Sequence, residues 1–240
     1  FQVALADIPS APQSLVGTRG DSQVTLAWAA PLSIGGTPII DYLVQYSSDG
    51  GTTWTTFDDG VSAATGTTVT GLVNGTTYVF RVQGRNAVNV ASADINDGVW
   101  TAASLPVKPL APASAPTNLA ANGGNASATL TWTAPLATGG APLTDYLVQY
   151  STDGGTTWTT FTHPASTATT ITVTGLVNGV EHVFRVAGVT EYGPGISSQV
   201  SLIVVPMTTP DAPTALVAKL GDTVVDLTWT DNFNGGSTVV

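Results

Sequence analysis

Residues 41–57 read DYLVQYSSDGGTTWTTF, and residues 145–161 read DYLVQYSTDGGTTWTTF, the same run with Thr152 standing where the first copy has Ser48. Within it, Tyr42-Leu43-Val44-Gln45-Tyr46 alternates with period two and is rich in β-branched and aromatic residues, the pattern of a strand with one buried face. Asp49-Gly50-Gly51 follows as a turn signal. Moving outward, Val24-Thr25-Leu26-Ala27-Trp28 and Tyr78-Val79-Phe80-Arg81-Val82 show the same alternation. Gly35-Gly36, Gly71 and Asn74-Gly75 break the chain between them. No segment carries apolar residues at helical spacing for three turns. Short strands separated by turns predict an all-β antiparallel sandwich or barrel.

The duplication extends well past this run. Pro12 and Pro116, Trp28 and Trp132, Gly71 and Gly175, Asn74 and Asn178, and Phe80 and Phe184 all keep an offset of 104 residues. A third copy opens at an offset of 97, carrying Pro116 to Pro213 and Trp132 to Trp229. The 240 residues therefore divide into 1–8, the last strand of a preceding repeat; 9–109 and 110–209, two whole repeats; and 210–240, the start of a truncated third. Phe1-Gln2-Val3-Ala4-Leu5 precedes Pro9 much as Leu202-Ile203-Val204-Val205 precedes Pro210, so the expectation is a piece of a longer array. About 100 residues per repeat suffices for a two-layer core without staples.

The joint spacing of these landmarks resembles the fibronectin type III family. Pro12, Pro116 and Pro213 open a first strand, with Leu15, Leu119 and Leu216 three residues on. Leu26-x-Trp28, Leu130-x-Trp132 and Leu227-x-Trp229 look like that family's second strand, and Pro31 and Pro135 follow it. Ile39-x-x-Tyr42-x-Val44-x-Tyr46 and Leu143-x-x-Tyr146-x-Val148-x-Tyr150 look like its third. Val69-x-x-Leu72 with Tyr78-x-Phe80-x-Val82 looks like its last core strands. The resemblance covers nearly the whole chain and implies tandem immunoglobulin-like antiparallel β-sandwiches. It also implies that Tyr78 makes a corner hydrogen bond; His182 stands in that place in the second repeat, where an imidazole is expected to donate a similar bond.

On this reading Trp28, Tyr42, Val44, Tyr46, Leu72, Phe80 and Val82 form one core. Trp132, Tyr146, Val148, Tyr150, Leu176, Phe184 and Val186 form the next, so the repeated aromatics are scaffold. Pro106, Pro109, Pro112 and Pro116 mark one joint and Pro206, Pro210 and Pro213 the other. Prolines fix φ and bias their predecessors toward extended geometry, so short semi-rigid links and an extended rod are expected.

Composition bounds the partners. Six Lys+Arg against sixteen Asp+Glu give a net charge of -10, which argues against nucleic acid. Charged residues make up only 9% of the chain, with abundant Thr, Ser, Gly and Asn, a weakly charged polar surface commoner in secreted bacterial proteins. There is no cysteine, hence no disulfide and no thiolate metal site. No run of 18 apolar residues occurs, so no membrane insertion is expected in this segment.

Several motifs bear residues of the kind that form sites. Arg19-Gly20-Asp21-Ser22 contains the tripeptide of integrin-binding proteins, but it falls in the turn before the strand at Val24, where turn chemistry accounts for Gly and Asp. Ser47-x-Asp49-x-Gly51-x-Thr53-Trp54 and Ser151-x-Asp153-x-Gly155-x-Thr157-Trp158 resemble the Asp-box, a structural hairpin, with the alternative that Trp54 and Trp158 stack on a sugar. Asn89, Asp94, Asn96 and Asp97 gather oxygens suited to calcium without a calcium-loop spacing, which a solvated loop explains. Asp58-Asp59 reads as a turn. Asn74-Gly75-Thr76 and Asn125-Ala126-Ser127 fit the glycosylation sequon, to which a bacterial-type sequence gives little weight.

Catalysis has little material. The histidines are His163, beside Pro164, and His182, at a core position; no Ser sits in a nucleophile elbow and no carboxylate pair recurs. Gly35-Gly36 and Gly139-Gly140 lead into strands, so no phosphate cradle forms. No catalytic, cofactor or metal residues are assigned and no cofactor is expected. The expected function is a non-catalytic structural or adhesive segment of a long extracellular or cell-surface repeat protein, a stalk, fibre or filament. Its expected partners are neighbouring repeats, other copies through edge strands, and a glycan or surface protein. The alternatives are spacer modules of a secreted polysaccharide-degrading enzyme, or a carbohydrate- or protein-binding module.

Overall fold

A computed structural model describes residues 6–90, 94 and 97–236, and among these every regular element is a β-strand. The expected strand at Phe1 to Leu5 lies outside the described residues. The chain divides into two compact units, residues up to 111 with 139–141, and residues 112–138 with 142 onward.

In the first unit, β1 (Gln13–Gly20), β2 (Gln23–Ala29) and β5 (Gly66–Thr70) form one antiparallel sheet in the order β1-β2-β5. The second sheet runs β4-β3-β6, from β3 (Ile39–Ser47), β4 (Thr55–Phe57) and β6 (Val79–Asn86). The period-two pattern decides which face is buried. In β2, Val24, Leu26 and Trp28 point inward while Thr25 and Ala27 point out. Their buried face meets Tyr42, Val44, Phe80 and Val82 of the other sheet, with Leu15, Ile39, Tyr46 and Phe57 packed partly buried at the margins. Trp28 is 7% exposed and meets Tyr42 edge-on at 5.3 Å between ring centroids.

The second unit repeats this plan. One sheet runs β11-β8-β7, from β7 (Thr117–Gly124), β8 (Ser127–Thr133) and β11 (Thr170–Thr174). The other runs β10-β9-β12-β13, from β9 (Asp145–Ser151), β10 (Thr159–Phe161), β12 (Val183–Thr190) and β13 (Gly193–Ser197). Trp132, also 7% exposed, meets Tyr146 edge-on at 4.9 Å within the core that includes Val148, Leu176, Phe184 and Val186. The third repeat contributes one hairpin, β14 (Thr214–Leu220) and β15 (Val225–Thr230). No sheet covers its apolar face among the described residues, and Leu227 and Trp229 are 52% and 53% exposed.

The last strand of each sandwich pairs irregularly with its neighbour, through isolated bridges and a register shift. Hydroxyls complete the ladder there. In the first unit Ser104 Oγ accepts from the Phe80 amide at 3.1 Å while the Ser104 amide donates to the Phe80 carbonyl at 2.8 Å. Ser201 does the same with Phe184, and Ser198 with Val186. The Tyr78 hydroxyl accepts from the Val73 amide at 3.1 Å, the expected corner bond. In the second unit His182 also bonds to upstream backbone, but nearer: its Nδ1 lies 2.8 Å from the Val180 carbonyl oxygen, two residues back, where Tyr78 reaches five residues back.

Candidate functional site

The duplicated hairpin is the most organised polar feature of either unit. Asp49 leaves β3 with its carboxylate turned back over the turn. Its Oδ1 accepts from the Ser47 hydroxyl at 2.6 Å and from the Thr52 and Thr53 amides at 3.0 and 2.9 Å. Its Oδ2 accepts from the Thr53 hydroxyl at 2.6 Å. Ser47 Oγ in turn accepts from the Gly51 amide at 2.9 Å. Asp153 repeats the pattern with the Ser151 and Thr157 hydroxyls at 2.6 Å each. The hydroxyl bonds, then the Thr53 or Thr157 amide, hold both carboxyls well below the usual carboxylate range. Every one of these bonds is internal to the turn, so the carboxylate organises its own loop.

The tryptophan that closes this turn is equally committed. A Cβ at Gly51 would lie 3.2 Å from the Trp54 ring, so the turn backbone covers one side of the indole. The Arg81 guanidinium covers another at 4.3 Å from the ring centroid, and Trp100 stacks on Arg81 at 4.4 Å. Arg81 Nε and Nη2 donate to Gln45 Oε1 at 2.8 and 2.6 Å, and Gln45, 1% exposed, passes its amide to Thr56 Oγ1 at 3.0 Å. Burial pulls the Arg81 guanidinium below its ordinary value. The second unit keeps Arg185 over Trp158 at 4.2 Å and bonded to Gln149, but has Ser197 at the register position of Trp100. Trp54 and Trp158 thus clamp arginines and offer no open platform for a sugar.

The remaining motifs resolve into turns and clasps. Asp21 and Ser22 form the two-residue turn between β1 and β2, and Asp21 Oδ1 accepts from Asn74 Nδ2 at 2.8 Å. Its carboxylate serves the fold. Asn89 is fully buried: its Oδ1 accepts from the Asn86 amide at 2.9 Å and its Nδ2 donates to the Asp97 carbonyl at 2.8 Å. It ties the Asn86 amide to the Asp97 carbonyl, while Asn96 of the oxygen cluster suited to calcium lies outside the described residues. Asp58 caps its turn through the Gly60 amide at 3.1 Å. Among the described residues no three His, Asp or Glu side chains gather closely enough to hold a metal.

His163 sits at the rim of a cavity of about 440 Å³ floored by Trp132, Tyr146, Val148, Phe161 and Ile171. One ring nitrogen lies 3.0 Å from the Tyr146 carbonyl oxygen and the other 2.9 Å from that of Pro164. Asp145 Oδ1 is 4.0 Å away and already accepts from the Ser166 amide at 3.0 Å. The imidazole staples the segment after β10 to β9.

Residues 10–95 and 114–204 each match the fibronectin type III domain. The chain belongs to the fibronectin type III family. Among curated relatives, fast-type myosin-binding protein C of Gallus gallus is 30% identical over 80% of this chain. M-protein of striated muscle, also of Gallus gallus, is 29% identical over 80% of it. The chain spans only 17% and 13% of the lengths of these two relatives. A crystal structure of chicken CNTN1 FN1-FN3 domains aligns over 92% of this chain and 75% of its own, at 18% identity and a TM-score of 0.38. The two curated relatives are animal proteins, one named for binding myosin and one for striated muscle, where composition had led to a bacterial expectation. Fibronectin type III membership makes the segment a structural module and not an enzyme.

Sequence reading of these fibronectin type III domains missed the Gln45-Arg81-Trp100 ladder. The signal was present: Arg81 and Arg185 occupy the outward position of the most apolar strand in each repeat, opposite Gln45 and Gln149. Cross-strand pairing brings them together, and pairing partners are set by register. Asn86 was missed as well. Fully buried, it donates through Nδ2 to the Asp7 and Ile34 carbonyls, at 2.8 Å each, and so fixes the entry of the first domain.

Proposed function

We propose that the chain is a non-catalytic structural segment of a longer repeat protein that works outside the cell, at the surface or in a secreted fibre. One observation carries the structural part: the side chains duplicated most faithfully, from Tyr42 to Trp54 and Tyr146 to Trp158, are consumed by core, turn and ladder in both domains. Selection of such residues serves independent, repeatable folding rather than a cleft. The extracellular part is supported by the thinly charged, hydroxyl-rich composition of the chain. Protease shaving of intact source cells tests it. Release of peptides from both repeats is expected, and release only after lysis would overturn the compartment.

The relatives favour a second reading. Proteins named for binding myosin, or for striated muscle, match both repeats, which supports a scaffold on an intracellular filament. Co-sedimentation of the chain with myosin filaments separates the two readings. Under either, other copies of the chain are proposed partners, because edge strands β4, β5, β10 and β11 carry no charged residue to block pairing. Sedimentation velocity across a concentration series reads that association directly.

A further inference from the structure

The three repeats place a short polar residue at the same point of their first hairpin: Asp21, Asn125 and Asp222. In the first two domains the structural work of that residue is done by one oxygen. Asn74 Nδ2 donates to Asp21 Oδ1 and Asn178 Nδ2 donates to Asn125 Oδ1, both at 2.8 Å. The orientation of each amide is fixed by its neighbours. The Ser22 and Ala126 amides can only donate, so they select Oδ1 of Asn74 and Asn178, at 2.9 and 2.8 Å. That turns Asn178 Nδ2 toward Asn125 and makes the atom it meets an oxygen. Asn125 Nδ2 then occupies the place of the second Asp21 oxygen, outside the clasp. The fold accepts a carboxylate here, so the amide nitrogen of Asn125 is not a requirement of the turn.

Asn125 is exposed, lies at the tip of the turn between β7 and β8, and is followed by Ala126-Ser127, completing the Asn-x-Ser sequon. Neither other repeat has a hydroxyl two residues on: Gln23 follows Asp21 and Val224 follows Asp222. The second sequon, Asn74-Gly75-Thr76, differs in every structural respect. Asn74 is half-buried, its Nδ2 is spent on Asp21 Oδ1 and reaches Ser22 Oγ at 3.4 Å, and the Gly75 amide is tied to the Pro109 carbonyl at 2.9 Å.

We infer that Asn125 is an N-linked glycan acceptor and that Asn74 is a structural clasp left unmodified in the folded domain. The inference rests on the exported reading above. In the reaction, Asn125 Nδ2 attacks the anomeric carbon of a lipid pyrophosphate-linked oligosaccharide. A nitrogen–carbon bond forms, the carbon–oxygen bond to the pyrophosphate breaks, the amide loses one proton, and the lipid pyrophosphate leaves. The Oδ1 bond to Asn178 survives, because substitution falls on the nitrogen.

The test is expression of the full chain behind a secretory leader in an N-glycosylating eukaryotic cell. Secreted and cell-retained material are both mapped by mass spectrometry before and after peptide-N-glycosidase. A glycan at Asn125 is expected, removed by the glycosidase and lost in both Asn125→Gln and Ser127→Ala. Asn125→Asp, which reproduces the Asp21 clasp, checks that loss of the glycan is not loss of the fold. Unmodified Asn125 in both fractions, or a glycan on Asn74 with Asn125 bare, overturns the inference. Because the leader imposes the route, failure here is distinct from failure of the native compartment, which cell shaving reads separately.

Discussion

The Arg81 guanidinium lies 4.3 Å from the centroid of the Trp54 ring, and the same group is bonded to a buried glutamine, Gln45. A charge is thus held over an indole in a partly desolvated site, where such contacts are strongest. Arg81→Ala removes two cation–π contacts and leaves Gln45 Oε1 unsatisfied. The expected loss is about 2 to 3 kcal/mol in the first domain. Arg185→Ala removes one ring contact from a less buried glutamine, so a loss smaller by about 1 kcal/mol is expected. Urea unfolding of the two variants checks the ranking, and equal losses would show that Trp100 adds nothing.

The core prediction uses one residue in two environments. Trp28→Ala, at 7% exposure against Tyr42, is expected to destabilise the first domain by about 3 to 5 kcal/mol. Trp229 is the same landmark in the third repeat, but it is 53% exposed and bonded only locally, to Asp231. Trp229→Ala is expected to change thermal unfolding by no more than about 0.5 kcal/mol. A large effect at Trp229 would mean that its hairpin packs in solution.

What the sequence disclosed, and what it did not, follows from the range of each interaction. Strands β2, β3 and β6 were legible because alternation is local, and duplication in 41–57 and 145–161 confirmed which residues move together. The Asp49 turn was legible for the same reason, its partners all lying within four residues. The Arg81 ladder and the Asn86 clasp were not, since they join positions 36 and 79 residues apart. Exclusion of Trp54 as a sugar platform needed the atoms on each side of the ring. Composition carried less, because a thinly charged, hydroxyl-rich chain bears on its general setting and names no partner.

Gly35 and Gly71 separate backbone strain from steric conflict. Both have positive φ, 70° and 74°. A Cβ at Gly71 would meet nothing, so Gly71→Ala is expected to cost about 1 to 2 kcal/mol from the left-handed backbone alone. A Cβ at Gly35 would run into the Asp7 carbonyl, which Asn86 holds, while the Asp7 amide donates to the Gly35 carbonyl at 2.9 Å. Gly35→Ala therefore displaces the whole entry segment, and a loss of about 3 kcal/mol is expected. Differential scanning calorimetry of both variants reads the difference.

The duplicated turns are expected to shape the acid limb of stability. Asp49 and Asp153 have folded-state values held well below their ordinary 3.8 by hydroxyl and amide donors. A carboxyl depressed on folding favours the native state fully above its unfolded value, and that contribution is lost as pH falls toward the folded value. Stability is therefore expected to be level above about pH 5 and to decline below about pH 4, where the unfolded chain takes up protons that the turns still refuse. In the double variant Asp49→Asn and Asp153→Asn no proton is exchanged at either turn. Its stability at neutral pH is expected to be lower and its acid limb flatter. Denaturant midpoints measured between about pH 2 and pH 7 check this. An acid limb as steep as that of the parent would assign the pH dependence to other carboxylates.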